Sequence, residues 1–233
     1  RLERLAQCRE QLAKEKAEAE AKQQAKLDKR EQEEKETGKR KRGRKPKAPG
    51  AGKGDQPKAN VTDPESRIMK TRSGYVQGYN GQIAVTQEQI VIAAEVTQEA
   101  NDVRQLEPMV ELARRNTRAI LGDGACELGS VLADAGYWSE GNAAYAKDAG
   151  PDFHIATIKD WKQRKALREA PPPRGRIPRD LSSRDRMERK LLTKAGRALY
   201  KKRGCTVEPV FGQVKSANGF DRFSRRGKTA CQH

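Results

Sequence analysis

Two carboxylates stand in settings that could carry chemistry. Asp134 closes a short apolar run, G-S-V-L-A-D from Gly129, and Ala135-Gly136 follows at once. Functional groups of α/β sheets collect at the carboxyl ends of strands, where a side chain faces a crevice rather than the core. The plain alternative is an acid that caps the next helix. Glu208 lies in T-V-E-P-V-F-G-Q-V-K, where Val207, Val210, Phe211 and Val214 make an apolar helix face and Pro209 suits a first helical turn. An acid opening an apolar helix is unusual, although it also suits the helix dipole. Lys215 follows Glu208 by seven residues, so two helical turns put both on one side.

Other chemistries find little support. The cysteines are Cys8, Cys126, Cys205 and Cys231, with no C-x-x-C pair, and the histidines are His154 and His233. None is spaced as zinc ligands are. The net charge of +17 points to a polyanionic partner. No apolar run is long enough to span a bilayer and no signal peptide is visible, so the sequence predicts a cytoplasmic protein with reduced thiols.

The elements that must position these acids fall in the second part of the chain. All eleven aromatic residues lie at or after Tyr75, so the earlier part has little large side-chain area to bury. Residues 1–37 are mostly Lys, Arg, Glu, Gln and Ala, which predicts one charged, solvated helix. Residues 38–59, with the run K-R-K-R-G-R-K-P-K, predict a disordered basic linker. Arg42 and Arg44 there resemble minor-groove hooks, and non-specific attraction to phosphates is the safer expectation.

From 60 to 233 the pattern predicts a mixed α/β domain. Tyr75 to Val85 and Gln89 to Val96 read as a hairpin turning near Thr86-Gln87-Glu88. Asn101-Asp102 reads as the cap of a helix whose Leu106, Met109, Val110 and Ala113 share a face. Gly122-Asp123-Gly124 is a turn, Trp138 to Ala149 a helix, and Asp152 to Thr157 a strand. Pro171 to Gly175 is a loop. A basic helix begins near Ser182-Ser183 and runs to about Arg203, and another covers Thr206 to Ser216. Trp138 and Trp161 read as core residues.

Several motifs in order carry a resemblance. D-A-G-Y at Asp134 to Tyr137, then Tyr200, Arg203, Glu208 and Lys215, resemble the second and third acid regions of DDE transposases of bacterial insertion sequences. The branch is the one marked by a Tyr-Arg-Glu-Lys signature. N-V-T-D-P-E-S-R-I-M-K, G-Y-V-Q-G-Y-N-G-Q, Asn101-Asp102 and D-W-K-Q-R-K-A-L-R-E-A-P-P-P-R-G-R are similar to one group within it. The resemblance spans about Asn60 to His233. One departure is that four residues separate Arg203 from Glu208, where the signature has three, so Tyr200 and Arg203 carry less of it than Glu208.

The resemblance implies a ribonuclease-H-like mixed sheet flanked by helices, with one more strand in front of the hairpin. It implies metal-dependent cleavage and strand transfer of double-stranded DNA during transposition, with three carboxylates holding two Mg²⁺ or Mn²⁺ ions. Asp134 and Glu208 would be two of the three. Arg203 and Lys215 would contact phosphates, and Tyr200 would position the strand. The first aspartate would lie upstream of residue 1, beyond a helical insertion matching residues 1–58, so the chain alone is expected not to cut DNA. Asp63 and Asp102 are the in-chain candidates, but Asp63 reads better as part of a T-D-P-E-S turn and Asp102, after the hairpin, as the cap of its helix. A bacterial, nucleoid-associated location and a homodimer on DNA fit this picture. The alternative is a basic DNA-binding protein without catalysis.

Overall fold

The computed structural model describes residues 1–49, 58–71, 74–122, 128–178 and 180–233. Two sequence readings therefore lie partly outside the described residues: the far half of the linker and the turn at Asp123-Gly124. Cys126 and the side chain of Trp161 lie outside them too. The chain divides into two compact units, Arg1–Arg67 and Ile68–His233. Among the described residues no helix is long and apolar enough to cross a membrane.

In the first unit, α1 (Leu2–Thr37) is the charged helix expected from its helix-forming composition. Gly38 ends it in the left-handed conformation at φ 62°, which glycine adopts without steric cost. The basic segment read as a free linker is held to the helix over its first part. Arg30 donates to the carbonyls of Lys41 and Arg44, and Gln23 donates to that of Lys47. The side chains of Arg42 and Arg44 stay exposed. T-D-P-E-S forms the expected turn, with Ser66 N–H donating to the Asp63 carbonyl at 3.2 Å.

The second unit holds the mixed α/β domain. β1 (Arg67–Thr71) and β2 (Gly74–Gly78) make one two-stranded sheet, β3 (Asn80–Val85) and β4 (Val91–Thr97) a second, and β5 (Ser130–Ala133) and β6 (Asp152–Ile155) a third. The expected single strand from Tyr75 to Val85 is thus two strands broken at Tyr79. The β3–β4 hairpin turns where expected, with Thr86 N–H donating to the Ile90 carbonyl at 2.9 Å. β5 and β6 are parallel. Phe153, His154 and Ile155 are all buried, as a strand covered on both faces requires.

After a 3₁₀ turn at Asp102–Gln105, α2 (Leu106–Leu121) buries Leu106, Met109, Val110 and Ala113, the four residues its periodicity placed on one face. They pack with Ala133, Phe153 and Ile155 on one side and Ala93 on the other. One helix thereby backs two separate sheets. α3 (Glu140–Asp148) is capped by Ser139, whose Oγ accepts from Asn142 N–H. α4 (Trp161–Glu169) precedes the Pro-rich loop and was not expected as a helix.

The C-terminal helices differ most from expectation. α5 (Ser183–Leu192) stops at Thr193, and α6 (Lys194–Gly212) runs on unbroken, followed by a π-helical turn at Gln213–Ala217 and the short α7 (Lys228–Gln232). A Cβ on Gly196 would stand 2.1 Å from the Lys190 carbonyl oxygen, so only glycine lets the two helices meet at that elbow. Pro209 lies inside α6 rather than in a first turn. Having no N–H, it leaves the Cys205 carbonyl without its helical donor. Gln89 supplies one from the hairpin turn, its Nε2 donating at 3.1 Å.

His154 reports the state of the β5–β6 core. Burial, and then the Lys190 ammonium, lower its pKa, more than Asp152 raises it. Its Nδ1 stands 3.8 Å from the Asp152 carboxylate, but Lys190 already pairs with that group, so the imidazole is neutral. An unfolded chain takes up that proton first, so this contribution is intact above about pH 6.5 and is lost as pH falls below it. Denaturant midpoints should therefore drop between about pH 7 and pH 5.5, a slope that His154→Asn flattens.

Candidate active site

The sequence places Asp134 at the end of β5, and its carboxylate turns back on its own loop. Oδ1 accepts from Gly136 N–H at 2.7 Å, and Tyr137 N–H reaches the Asp134 carbonyl at 3.3 Å. A second acid comes to the same point. A Cβ on Gly136 would stand 2.9 Å from Asp134 Oδ1 and 2.9 Å from Asp102 Oδ2. The two carboxylate oxygens are therefore separated by no more than twice that distance.

Asp102 is not the helix cap that its position suggested, since no side chain caps that turn. Its Oδ1 accepts instead from Asn80 Nδ2 and Gln82 Nε2, each at 2.8 Å. Asn80 and Gln82 are two apart on β3, so they project from the same face. Tyr137 OH in turn donates to Gln82 Oε1. The chain Tyr137–Gln82–Asp102 thus links the loop after β5 to the start of β3. Burial, then Asp102 and Asp134, push the Tyr137 phenol far above its usual range, against a smaller opposite pull from Arg203. It remains a neutral donor.

The acids stand at one end of a cleft of about 850 Å³ running between β3 and β5. Lys202 and Arg203 line it from α6. Arg203 lies over the Tyr200 ring, 5.8 Å from its centroid, and Tyr200 OH donates to the Ala133 carbonyl at 3.2 Å. Burial raises the Tyr200 pKa; Arg203 opposes that shift and Asp134 adds to it. Asp134, Tyr200 and Arg203 are therefore brought together.

Glu208 is not brought to them. It is exposed, it is absent from the cleft lining, and its carboxylate lies over Gly204, 3.7 Å from where a Cβ there would be. The helix explains why. At about 100° per residue, five positions past Arg203 place Glu208 roughly 140° around the axis, whereas four would leave it about 40° away. The one-residue departure in spacing rotates the acid off the cleft face. Lys215 is exposed, its ammonium 5.4 Å from the Phe211 ring centroid. It lies in the π-helical turn, so seven residues no longer make two α-helical turns.

Among the described residues no group of three or more His, Cys, Asp or Glu side chains could hold a metal ion. Asp102 and Asp134 are two carboxylates that approach each other at the end of the cleft. Arg42 and Arg44 belong to the other unit and are exposed there.

A family model described as the transposase DDE domain matches residues 22–232. The chain belongs to that family. No curated protein and no solved structure matches it. A transposase DDE domain serves DNA cleavage and transfer in transposition, generally with divalent metal ions, and membership implies DNA binding. The cleft residue that sequence reasoning undervalued is Asp102. Its signal was Asn80 and Gln82, two amides on one strand face, which need a shared acceptor when buried.

Substituting Gly136 tests this convergence in the transposase domain. Gly136→Ala puts a methyl group closer than contact distance to both acids. A loss of about 1–3 kcal/mol in unfolding free energy is expected, smaller in an Asp102→Ala background. An equal loss in both backgrounds would show that the two carboxylates do not converge there.

Proposed function

We propose that this chain is the DNA-cleaving and strand-transfer domain of a bacterial insertion-sequence transposase with a ribonuclease-H-like core, carrying part of its acid set. The observation that carries the reading is Asp134, which ends a parallel strand in a family-matched domain and faces a cleft walled by basic residues of α6. Lys202 and Arg203 are the groups that would take the phosphates of double-stranded DNA, with Arg203 lying over the Tyr200 ring. Lys215, and in the other unit Arg42 and Arg44, add exposed charge for the DNA backbone. The +17 charge draws any duplex without regard to sequence.

Mg²⁺, or Mn²⁺, is the cofactor that an oxygen-only donor set would suit. Asp134 is the ligand we assign, with Glu208 as its partner in the family pattern. Glu208 stands away from the cleft, and among the described residues no third acid joins Asp102 and Asp134, so those residues do not fit a complete ion site. This specifically favours a second reading of the chain by itself, as a DNA binder that does not cut.

The experiment measures binding and nicking together. Affinity for a short duplex should fall steeply with salt, and Arg203→Ala should weaken it and lower the salt slope by about one. Asp134→Asn should leave affinity unchanged or tighten it. Supercoiled plasmid with Mg²⁺ should remain uncut. Nicking that Asp134→Asn abolishes would overturn the incomplete set, and binding indifferent to Arg203 would overturn the DNA-facing cleft.

A further inference from the structure

β4 has one side that no sheet partner covers. Ala93, Glu95 and Thr97 stand opposite Ala84, Gln82 and Asn80 of β3 and face that strand. Backbone groups alternate sides along a strand, so those of Ile92, Ala94 and Val96 point outward. Among the described residues no strand adjoins them there. Such an edge invites pairing with another chain, and proteins commonly blunt it with lysine or proline. V-I-A-A-E-V-T has neither, and its one charge is Glu95. Seven residues rich in β-branched side chains and poor in charge have the composition that pairs with itself.

Side-chain amides from elsewhere in the fold stand on this edge. Asn116 of α2 donates its Nδ2 to the Ile92 carbonyl at 2.9 Å. Gln232 of α7 takes two groups at once. Its Oε1 accepts from Val96 N–H at 2.6 Å, and its Nε2 donates to the Ala94 carbonyl at 3.1 Å. One residue of a parallel neighbouring strand would bond that same pair of groups. The Gln232 carboxamide therefore stands in for a strand with a single side chain. Gln232 is exposed, so water competes for both bonds. A second anchor lies upstream. Phe223 packs edge-on against Tyr79, with ring centroids 6.0 Å apart, and sits 3.5 Å from where a Cβ on Gly81 would be. Residues 218–232 thus form a strap that follows the π-helical turn, touches the start of β3 and ends on the rim of β4.

We infer that this strap is a removable cover, and that the β4 edge beneath it is an interaction surface for a second copy of this chain. The second copy is the occupant because the edge is complementary to itself. Two copies related by a two-fold axis run their β4 strands antiparallel, each offering the other the same groups. Centred on Ala94, that pairing sets Ala94 opposite its own counterpart and Ile92 opposite Val96, so the outward groups of all three are used. The exposed side chain of Ala94 is small enough for the close approach, and Ile90 and Val91, exposed at the start of the strand, extend the edge with apolar area. Strap and second copy need the same backbone groups, so each excludes the other. Ala94, Val96 and Gln232 are absent from the cleft lining, which keeps this surface apart from the cleft that faces DNA.

Sedimentation of the full chain over a range of concentrations, without DNA, tests this. Gln232→Ala, alone and combined with Phe223→Ala, should self-associate at a concentration about tenfold or more below the wild type, because the competing hydrogen bonds are gone. Adding Ala94→Lys should restore wild-type behaviour, since paired strands would set two ammonium groups opposite each other. Amide exchange gives a second readout. In dilute Gln232→Ala the Val96 amide should exchange faster than in the wild type, and in concentrated solution the Ala94 and Val96 amides should both slow. Circular dichroism of Gln232→Ala should match the wild type, as Gln232 lies outside the core. If both release variants sediment as the wild type does, the strap covers no assembly surface and the inference fails. Self-association that survives Ala94→Lys would put the contact elsewhere and overturn it equally. None of these outcomes bears on DNA affinity, which is measured separately.

Discussion

A single half-buried acceptor organises the second unit. Asp102 takes hydrogen bonds from two side-chain amides of β3 while its other oxygen meets the loop after β5. Hydrogen bonds to a charged group contribute about 1.5–3 kcal/mol each, and an amide stranded without its acceptor costs a similar amount. The hairpin sheet and the parallel pair share no ladder. Their relation is set by α2 behind them and by Asp102, Gln82 and Tyr137 at one end. The cleft and the placement of Asp134 within it depend on that tie.

At the other end, α6 closes the cleft through a compensation within the helix. Pro209 frees the Cys205 carbonyl, Gln89 takes it, and Lys202 reaches Gln87 at 3.1 Å. Gln89 itself adopts φ 66°, an uncommon conformation for a residue with a Cβ. The hairpin turn is thereby fastened to the helix that carries Tyr200 and Arg203. The same helix, continuous from Lys194 to Gly212, carries Glu208 to its far side. Continuity brings the basic residues in and turns the acid out.

Much of this was legible in the sequence. Asp134 at a strand end, the hairpin, the α2 face and the basic character of α6 follow from period and composition. The resemblance to DDE transposases of insertion sequences is matched at the level of the transposase DDE domain. What was not legible depends on partners distant in the chain. Asp102 looks like a cap because Asn80 and Gln82 are some twenty residues away. Pro209 looks like a helix start because the sequence does not show that Gln89 supplies the missing donor. The split of α5 from α6 at Thr193 rests on a close approach at Gly196, which local propensity does not register. Residues 38–49 look free because repulsion between their charges is visible and the arginine that gathers their carbonyls is in the preceding helix.

The tie at Asp102 is measured most directly by a double-mutant cycle on unfolding free energy, with Gln82→Ala, Asp102→Ala and the pair. The two residues touch, so their effects should couple by about 1 kcal/mol or more. Strictly additive losses would mean that the carboxylate does not hold β3, and the arrangement of the cleft around Asp134 would lose its basis.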